Sequence, residues 1–327
     1  MPFPRPTILG LGSPWRTAGR PPGMPPRPAP VPQPAPAPAP RPVAPPVITM
    51  RFPMSAADKV IKEALAEDIG DGDLTTQALF PGKVKARGKL IANEEGVLAG
   101  LPIFRRVFEL VDKNINFEAR ATDGMALTGG QLVARVSGPA VSVLQAERTA
   151  LNFLQHLSGI ATQTAKFANA VKGTKTRILD TRRTTPSLRF LERYAVEVGG
   201  GLTQQKSLSD RLIVTDSHLA LSDGVPNIVR QLRKTHQGKR IELTVTNMQE
   251  LEQALQAKVN VLLLENFPPG QVRQAIALVQ GRAKVEITGK VGLDNARAYA
   301  LAGVDYISVS QLTQSVKAFD FNFRISR

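Results

Sequence analysis

Residues 259–310 read VNVLLLENFPPGQVRQAIALVQGRAKVEITGKVGLDNARAYALAGVDYISVS. Three short apolar runs, VNVLLLE, KVEIT and DYISVS, alternate with longer helical segments such as Asp294–Ala302. Strands that are apolar on both faces and alternate with helices predict a parallel sheet covered by helices. Upstream the same rhythm continues through RILD, RLIVTD and RIELTV, with a helix over Met248–Ala257, so that six such units follow Thr176. That number predicts a barrel rather than an open sheet, and a barrel presents its chemistry at the C-terminal ends of its strands. Those ends carry Asp180, Arg182 and Arg183; Thr215 and Asp216; Glu242; Glu265 and Asn266; Thr288, Gly289 and Lys290; and Ser308 and Ser310. Any one of these is an ordinary strand-end cap, but acids, bases and hydroxyls from six strands converging on one rim predict a site.

The first of these strands leads into RILDTRRTTPSLR, Arg177–Arg189. Two adjacent guanidinium groups, flanked by Thr184 and Thr185 and followed by Pro186 and a helix, suit a carboxylate or phosphate, which guanidinium binds in bidentate fashion. A solvated basic turn is the plain alternative.

The residues before Thr176 follow another pattern. Ser55 with Asp58 marks a helix start, the serine capping and the acid near the positive end of the helix dipole, and Val60, Ile61, Ala64 and Leu65 share one face. EDIGDGDLTT, 67–76, is expected to be a polar loop. From Lys83 to Leu144 the pattern is mostly strand-like, including QLVARVSGPAVSVL at 131–144, with a helix over Leu101–Val111; Glu147–Val171 reads as one long helix.

Residues 1–54 are compositionally distinct: APVPQPAPAPAPRPVAPP is nearly alternating proline, and six arginines and no acid precede Asp58. Proline cannot donate to a sheet ladder, so extended polyproline II or disorder is expected. Three readings stay open: an organelle-targeting extension, an arm lying along a partner, or a true start at Met54. The 327-residue chain carries a net charge of +15, and without those six arginines 36 basic residues still face 27 acidic ones. Such a body suits anionic substrates, RNA or simple solubility. The absence of cysteine excludes thiol catalysis and cysteine-ligated metal, and His156, His218 and His236 show no metal-ligand spacing. No apolar run approaches the roughly 20 residues of a membrane span.

In order along the body stand EALAEDIGDGDLTT, ANEEGVLAGLPIF, ERTALNFLQHLSGIAT, ILDTRRTTPSLRFLERYAVEVGGG, LLLENF and LDNARAYALAGVDYISVSQLTQSVKAFD. With these segments the chain resembles the quinolinate phosphoribosyltransferase family, also called carboxylating nicotinate-nucleotide pyrophosphorylases. The resemblance implies an α/β protein: an extended or disordered arm over 1–54, an N-terminal α/β sandwich domain with its connecting helix over 55–172, and an open α/β barrel over 173–327. It implies a homodimer that shares each active site between subunits. The implied reaction is a glycosyl transfer of NAD biosynthesis: quinolinate and phosphoribosyl pyrophosphate, with Mg2+, give nicotinate mononucleotide, CO2 and pyrophosphate. It further implies that Arg148 reaches substrate across the dimer, that Arg182, Arg183 and Thr184 hold substrate carboxylate and sugar, that Glu242 and Glu265 face ribose or metal, and that Thr288, Gly289, Lys290, Ser308 and Ser310 seat the 5'-phosphate. The cytoplasm is the expected compartment, or an organelle if residues 1–54 are a targeting extension.

The chain departs from the family pattern at several of these places. An Asn-His-Arg run becomes Thr203, Gln204 and Gln205; a lysine becomes Thr215; a second strand acid becomes Thr244; an aspartate becomes Glu265; Ser-Gly-Gly becomes Thr288-Gly289-Lys290; and a histidine becomes Gln314. Three substrate-facing cations are thereby exchanged for neutral side chains, each lost charge-assisted bond being worth about 1.5–3 kcal/mol. Two readings follow: a divergent enzyme acting on quinolinate or a less acidic aromatic substrate, and a catalytically impaired relative serving as a structural subunit of a larger assembly, with or without RNA, through its basic body and proline-rich arm.

Overall fold

The computed structural model describes residues 52–80, 84–205 and 207–327. The proline-rich arm lies outside these residues except for its last three. Helices α1 (Met54–Ile69) and α2 (Leu74–Leu79) lead into β1 (Lys85–Ala92), β2 (Gly96–Val97), α3 (Leu101–Val111), β3 (Asn116–Ala119), β4 (Ala126–Leu127), β5 (Leu132–Pro139) and α4 (Ala140–Ala170). The chain continues through β6 (Arg177–Leu179), α5 (Arg189–Val198), β7 (Leu212–Val214), α6 (Asp216–Ala220), α7 (Val225–Thr235), β8 (Ile241–Val245), α8 (Met248–Gln256), β9 (Val261–Glu265), α9 (Pro269–Val279), β10 (Lys284–Thr288), α10 (Leu293–Ala302), β11 (Tyr306–Ser308), α11 (Gln311–Gln314) and β12 (Phe321–Ser326).

Three local expectations are corrected. Helix α1 begins at Met54 with Pro53 at its N-cap and no side-chain cap, so Ser55 lies inside the first turn instead of closing it. The run 67–76 is not loop throughout: α1 reaches Ile69, and Asp73 caps α2 by accepting from Thr76 N at 2.9 Å. Residues 140–144 are not strand. Pro139 ends β5 and sits at the N-cap of α4, where Ala140, Val143, Ala146 and Ala150 fall at helical spacing and are buried.

The N-terminal sheet runs β12–β1–β5–β3, all antiparallel. In β1 the alternation is strict at its start, with Ala86 and Leu90 buried and Lys85, Arg87 and Lys89 exposed. Helix α3 contributes Ile103, Phe104, Val107 and Phe108 to the core, and Phe104 and Phe108 pack against each other and against Phe323 of β12 with ring centroids 5.1–6.1 Å apart. Strand β12 comes from the end of the chain, beyond the barrel, and pairs with β1 from Arg87↔Ser326 to Ala92↔Phe321. The last strand thus completes the first sheet, a return that no local pattern in FNFRIS announces.

The second sheet is the expected parallel one, in the order β6–β11–β10–β9–β8–β7. Strands β6 and β7 are its edges, so the barrel is open between them. Among the described residues, Leu202 alone bridges to Leu179 on the free side of β6. All five residues of β8 are buried, as are the first four of β9, which explains the continuous apolar reading. The strands run in one direction, so their C-terminal ends form one rim.

Helix α4 lies between the two sheets' helical layers, and the segment before β12 crosses it closely. A Cβ at Gly159 would stand 2.3 Å from the backbone carbonyl oxygen of Lys317. Gly159→Ala is expected to cost about 1–3 kcal/mol through this overlap, despite alanine's better helix propensity. A lower midpoint in urea unfolding is the expected reading; an unchanged or higher midpoint would contradict the close crossing.

Candidate active site

Register places the inward-facing side chains in layers. Thr244, Leu263 and Glu286 are paired across β8, β9 and β10, and Glu265 pairs with Thr288 one step nearer the rim. Above them opens a cavity of about 1020 Å³. Its lining includes Arg182, Arg183 and Arg211 as cations, Glu265 and Asp216 as acids, and the hydroxyls of Thr288, Ser308 and Ser310. The side nearest α7 mixes the apolar Leu212, Ile228 and Leu232 with the polar Gln231, Thr235 and His236.

Two buried carboxylates support this cavity. Glu242, 2% exposed, accepts from Arg211 Nη1 at 2.8 Å through Oε1, while its buried Oε2 has no partner among the described residues. Glu286, equally buried, accepts from Gln204 Nε2 at 3.1 Å and from the Ser308 hydroxyl. Burial, reinforced by the charge of Glu242, pushes the Glu286 carboxyl up to about 7.

The turn after β6 is fixed from beneath. Asp180 is buried and accepts from Gln204 N at 2.6 Å; burial pushes its carboxyl up to about 6. Glu192, fully buried, accepts from Thr185 N at 3.0 Å through one oxygen and meets His156 Nε2 at 2.8 Å through the other. Arg189 Nε donates to Thr184 Oγ1 at 2.9 Å. Gln205, 6% exposed, turns its amide oxygen to accept from Arg182 Nε at 3.0 Å. The Arg183 guanidinium stands exposed at the mouth, while its carbonyl accepts from Thr313 Oγ1 at 2.7 Å.

Opposite this turn, the loop after β10 folds onto the end of β9. Gly289 has φ +102°, and a Cβ there would sit 2.2 Å from Asn266 Oδ1, so only glycine fits. The same Asn266 oxygen accepts from Lys290 N at 3.2 Å.

Residues 73–158 match the N-terminal domain of quinolinate phosphoribosyl transferase, and residues 160–324 match its C-terminal domain. The chain belongs to the quinolinate phosphoribosyltransferase family. Among its relatives is the nicotinate-nucleotide pyrophosphorylase [carboxylating] of Mycobacterium leprae, 38% identical over 271 residues, covering 81% of this chain and 95% of that one. The chloroplastic enzyme of that name from Oryza sativa is 35% identical, covering 81% of this chain and 76% of that one. The crystal structure of NadC from Streptococcus pyogenes superposes with a TM-score of 0.81 at 38% identity, covering 85% of this chain and 99% of that one.

Within this phosphoribosyltransferase fold, Arg182, Arg183, Gln204, Gln205, Thr215, Glu265, Thr288, Gly289, Ser308 and Ser310 all line the one cavity. Four expected residues do not. Glu242 lies behind the lining and is linked to it through Arg211; Thr184 is engaged by Arg189; Lys290 is exposed at the loop; and Arg148 is exposed on α4. Thr215 caps α6, its hydroxyl 2.7 Å from His218 Nδ1. Sequence reasoning passed over Arg211 and Glu286. An acid between the apolar Val285 and Ile287 of KVEIT was a visible signal, since charge is rarely buried without purpose; nothing local marked Arg211. No helix among the described residues is long and apolar enough to cross a membrane.

The raised Glu286 carboxyl has a consequence for pH. A group whose pKa is higher in the folded state contributes stability that is complete below its unfolded value and is lost as pH rises through its folded value. Wild type should therefore lose stability between about pH 4.5 and 7 through this residue. Glu286→Gln keeps an acceptor for Gln204 and Ser308 and abolishes the titration. Its Tm should gain on wild type by several degrees as pH is raised across that window, and parallel curves would contradict the assignment.

Proposed function

We propose that the protein transfers the phosphoribosyl group of phosphoribosyl pyrophosphate to the ring nitrogen of a pyridine carboxylic acid, with the quinolinate reaction as the reference case. With quinolinate the products are nicotinate mononucleotide, pyrophosphate and CO2. The observation that carries this reading is the cavity at the strand ends, whose lining brings together Arg182, Arg183, Glu265 and Gly289.

The chemistry follows from those groups. The nitrogen lone pair forms the bond to the anomeric carbon as the bond to pyrophosphate breaks and its electron pair leaves with that group. Positive charge builds on the sugar between the two events, and a carboxylate fixed nearby stabilises it. Glu265, which has no ion-pair partner among the described residues, fits that role. The guanidinium groups of Arg182 and Arg183 suit phosphate or carboxylate oxygens, and the Thr288–Lys290 loop with Ser308 and Ser310 suits the 5'-phosphate. A magnesium ion carried by the pyrophosphate fits beside Glu265, since one carboxylate suffices for an ion whose other ligands are phosphate oxygens and water. When bound, that ion neutralises the leaving group. Arg148, exposed and away from its own cavity, fits the role of completing the site of a second copy in a homodimer.

Pyrophosphate release and mononucleotide formation on the purified full chain test the reading, with quinolinate and with nicotinate as acceptors. Arg183→Ala is expected to lower kcat/KM about ten- to hundredfold, the worth of one charge-assisted contact. Its Tm should stay at the wild-type value because the side chain is exposed. Absence of mononucleotide with both acceptors would overturn the proposal.

A further inference from the structure

We infer that the face of the barrel opposite the cavity, where the parallel strands begin, binds the phosphodiester backbone of a nucleic-acid duplex. Neither the cavity nor its chemistry enters into this reading.

Residues 224–241 carry Arg230, Arg233, Lys234, Lys239 and Arg240 and no acid. Without the six arginines that precede Asp58 the chain has 36 basic and 27 acidic residues, so this one stretch holds five of an excess of nine. All five are exposed, and none is in an ion pair among the described residues. The sheet gathers further cations beside them. Its strands are parallel, so their N-terminal ends share the side away from the rim. Lys239 and Arg240 precede β8, Lys258 precedes β9, Arg282 precedes β10, and Lys175 and Arg177 stand at the start of β6. Neighbouring strands lie about 4.8 Å apart, so from β6 to β8 these entries span roughly 19 Å along the sheet. A duplex presents one charge per about 1.7 Å of its axis over such a length. Two acids also stand at strand entries. Asp305, before β11, accepts from Lys284 Nζ at 2.9 Å and from Lys175 Nζ at 3.3 Å and is neutralised within the face. Asp210, before the edge strand β7, accepts from Ser207 N at 3.2 Å.

Arg233 joins this row to a second cavity. Its guanidinium donates to the Lys258 carbonyl at 2.9 Å. With Arg230, Gln253 and Gln256 it also lines a space of about 390 Å³ between α7 and α8, whose lining holds no carboxylate. Two guanidinium groups and two amides suit phosphate oxygens. Compensation of the helix dipole accounts for Arg233 and Lys234 in the last turn of α7, but not for Arg177, Lys239 or Arg240. The other side chains of the molecule select the occupant. No phenylalanine, tyrosine or tryptophan is exposed among the described residues, so unpaired bases find no stacking platform. One exposed leucine at the end of α10, Leu301, is too little to anchor the face in a lipid interface. Backbone phosphates, contacted without regard to sequence, fit what remains.

Fluorescence anisotropy on the full chain tests the inference, with two labelled DNA duplexes of unrelated sequence and one RNA duplex, each of about 20 base pairs so as to overreach the row. All three should bind within about tenfold of one another, and for DNA the slope of log K against log salt should be about −4 to −5, the sum for five phosphate contacts. Lys239→Gln, Arg240→Gln and Lys258→Gln together should flatten that slope by about three and weaken binding at least about tenfold in about 0.1 M salt. Their exposed side chains form no ion pair among the described residues, so Tm should hold. Lys62→Gln, Lys89→Gln and Lys113→Gln, exposed residues of the N-terminal domain, remove the same charge elsewhere and should leave Kd within about threefold. A wild-type slope shallower than about −2, equal losses in the two triple variants, or attachment to phosphatidylserine vesicles in preference to duplex overturns the inference.

Discussion

A carboxylate buried beneath the rim holds a backbone amide across the open side of the barrel: Asp180 Oδ1 accepts from Gln204 N at 2.6 Å. The bond continues a short mimicry of strand pairing, in which Leu202 N donates to the Ile178 carbonyl at 2.8 Å and Asp180 N donates to the Leu202 carbonyl at 3.1 Å. Residues 202–204 therefore stand where a neighbouring strand would stand beside β6. From this anchor the Gln204 side chain reaches Glu286 on β10, Gln205 reaches Arg182, and Thr203 meets the buried Arg193. This tied-down segment supplies Gln204 and Gln205 to the lining of the cavity.

The anchoring is electrostatic as much as geometric. Asp180, Glu242 and Glu286 are each 2% exposed; Arg193 and Arg189 act on Asp180, and Arg211 acts on Glu242 and Glu286. Burying three acids with so few partners raises the carboxyls of Asp180 and Glu286 and leaves one oxygen of Glu242 without a bond. A fold optimised for stability alone would place apolar residues there. Local features that cost stability and converge on a cavity are the signature of a working site.

Much of this was legible in the sequence, and the reasons are specific. The six barrel strands were readable because both of their faces are buried, which leaves continuous apolar runs such as VLLLE. The rim residues were readable because a parallel barrel sends every strand end to one side. What was hidden depended on long-range pairing. Nothing in FNFRIS shows that it closes the first sheet against β1, and the helical start at Ala140 was masked by a β-rich composition that Pro139 interrupts. Glu286 sat in plain view inside KVEIT, while the role of Arg211 depends on Glu242, which lies 31 positions away along the chain. The side chains of Gln204, Gln205 and Thr215 could be named as neutral from sequence, but only the fold shows that their polar atoms are already engaged.

The measurement that bears most directly on this account is an experimental structure of the full chain with nicotinate mononucleotide bound. The 5'-phosphate is expected against Gly289, Lys290, Ser308 and Ser310, the pyridine ring between Leu212, Leu232 and Gln205, and Gln204 N still on Asp180. A nucleotide lying outside the strand-end cavity, or a 202–204 segment displaced from β6 to admit it, would contradict it.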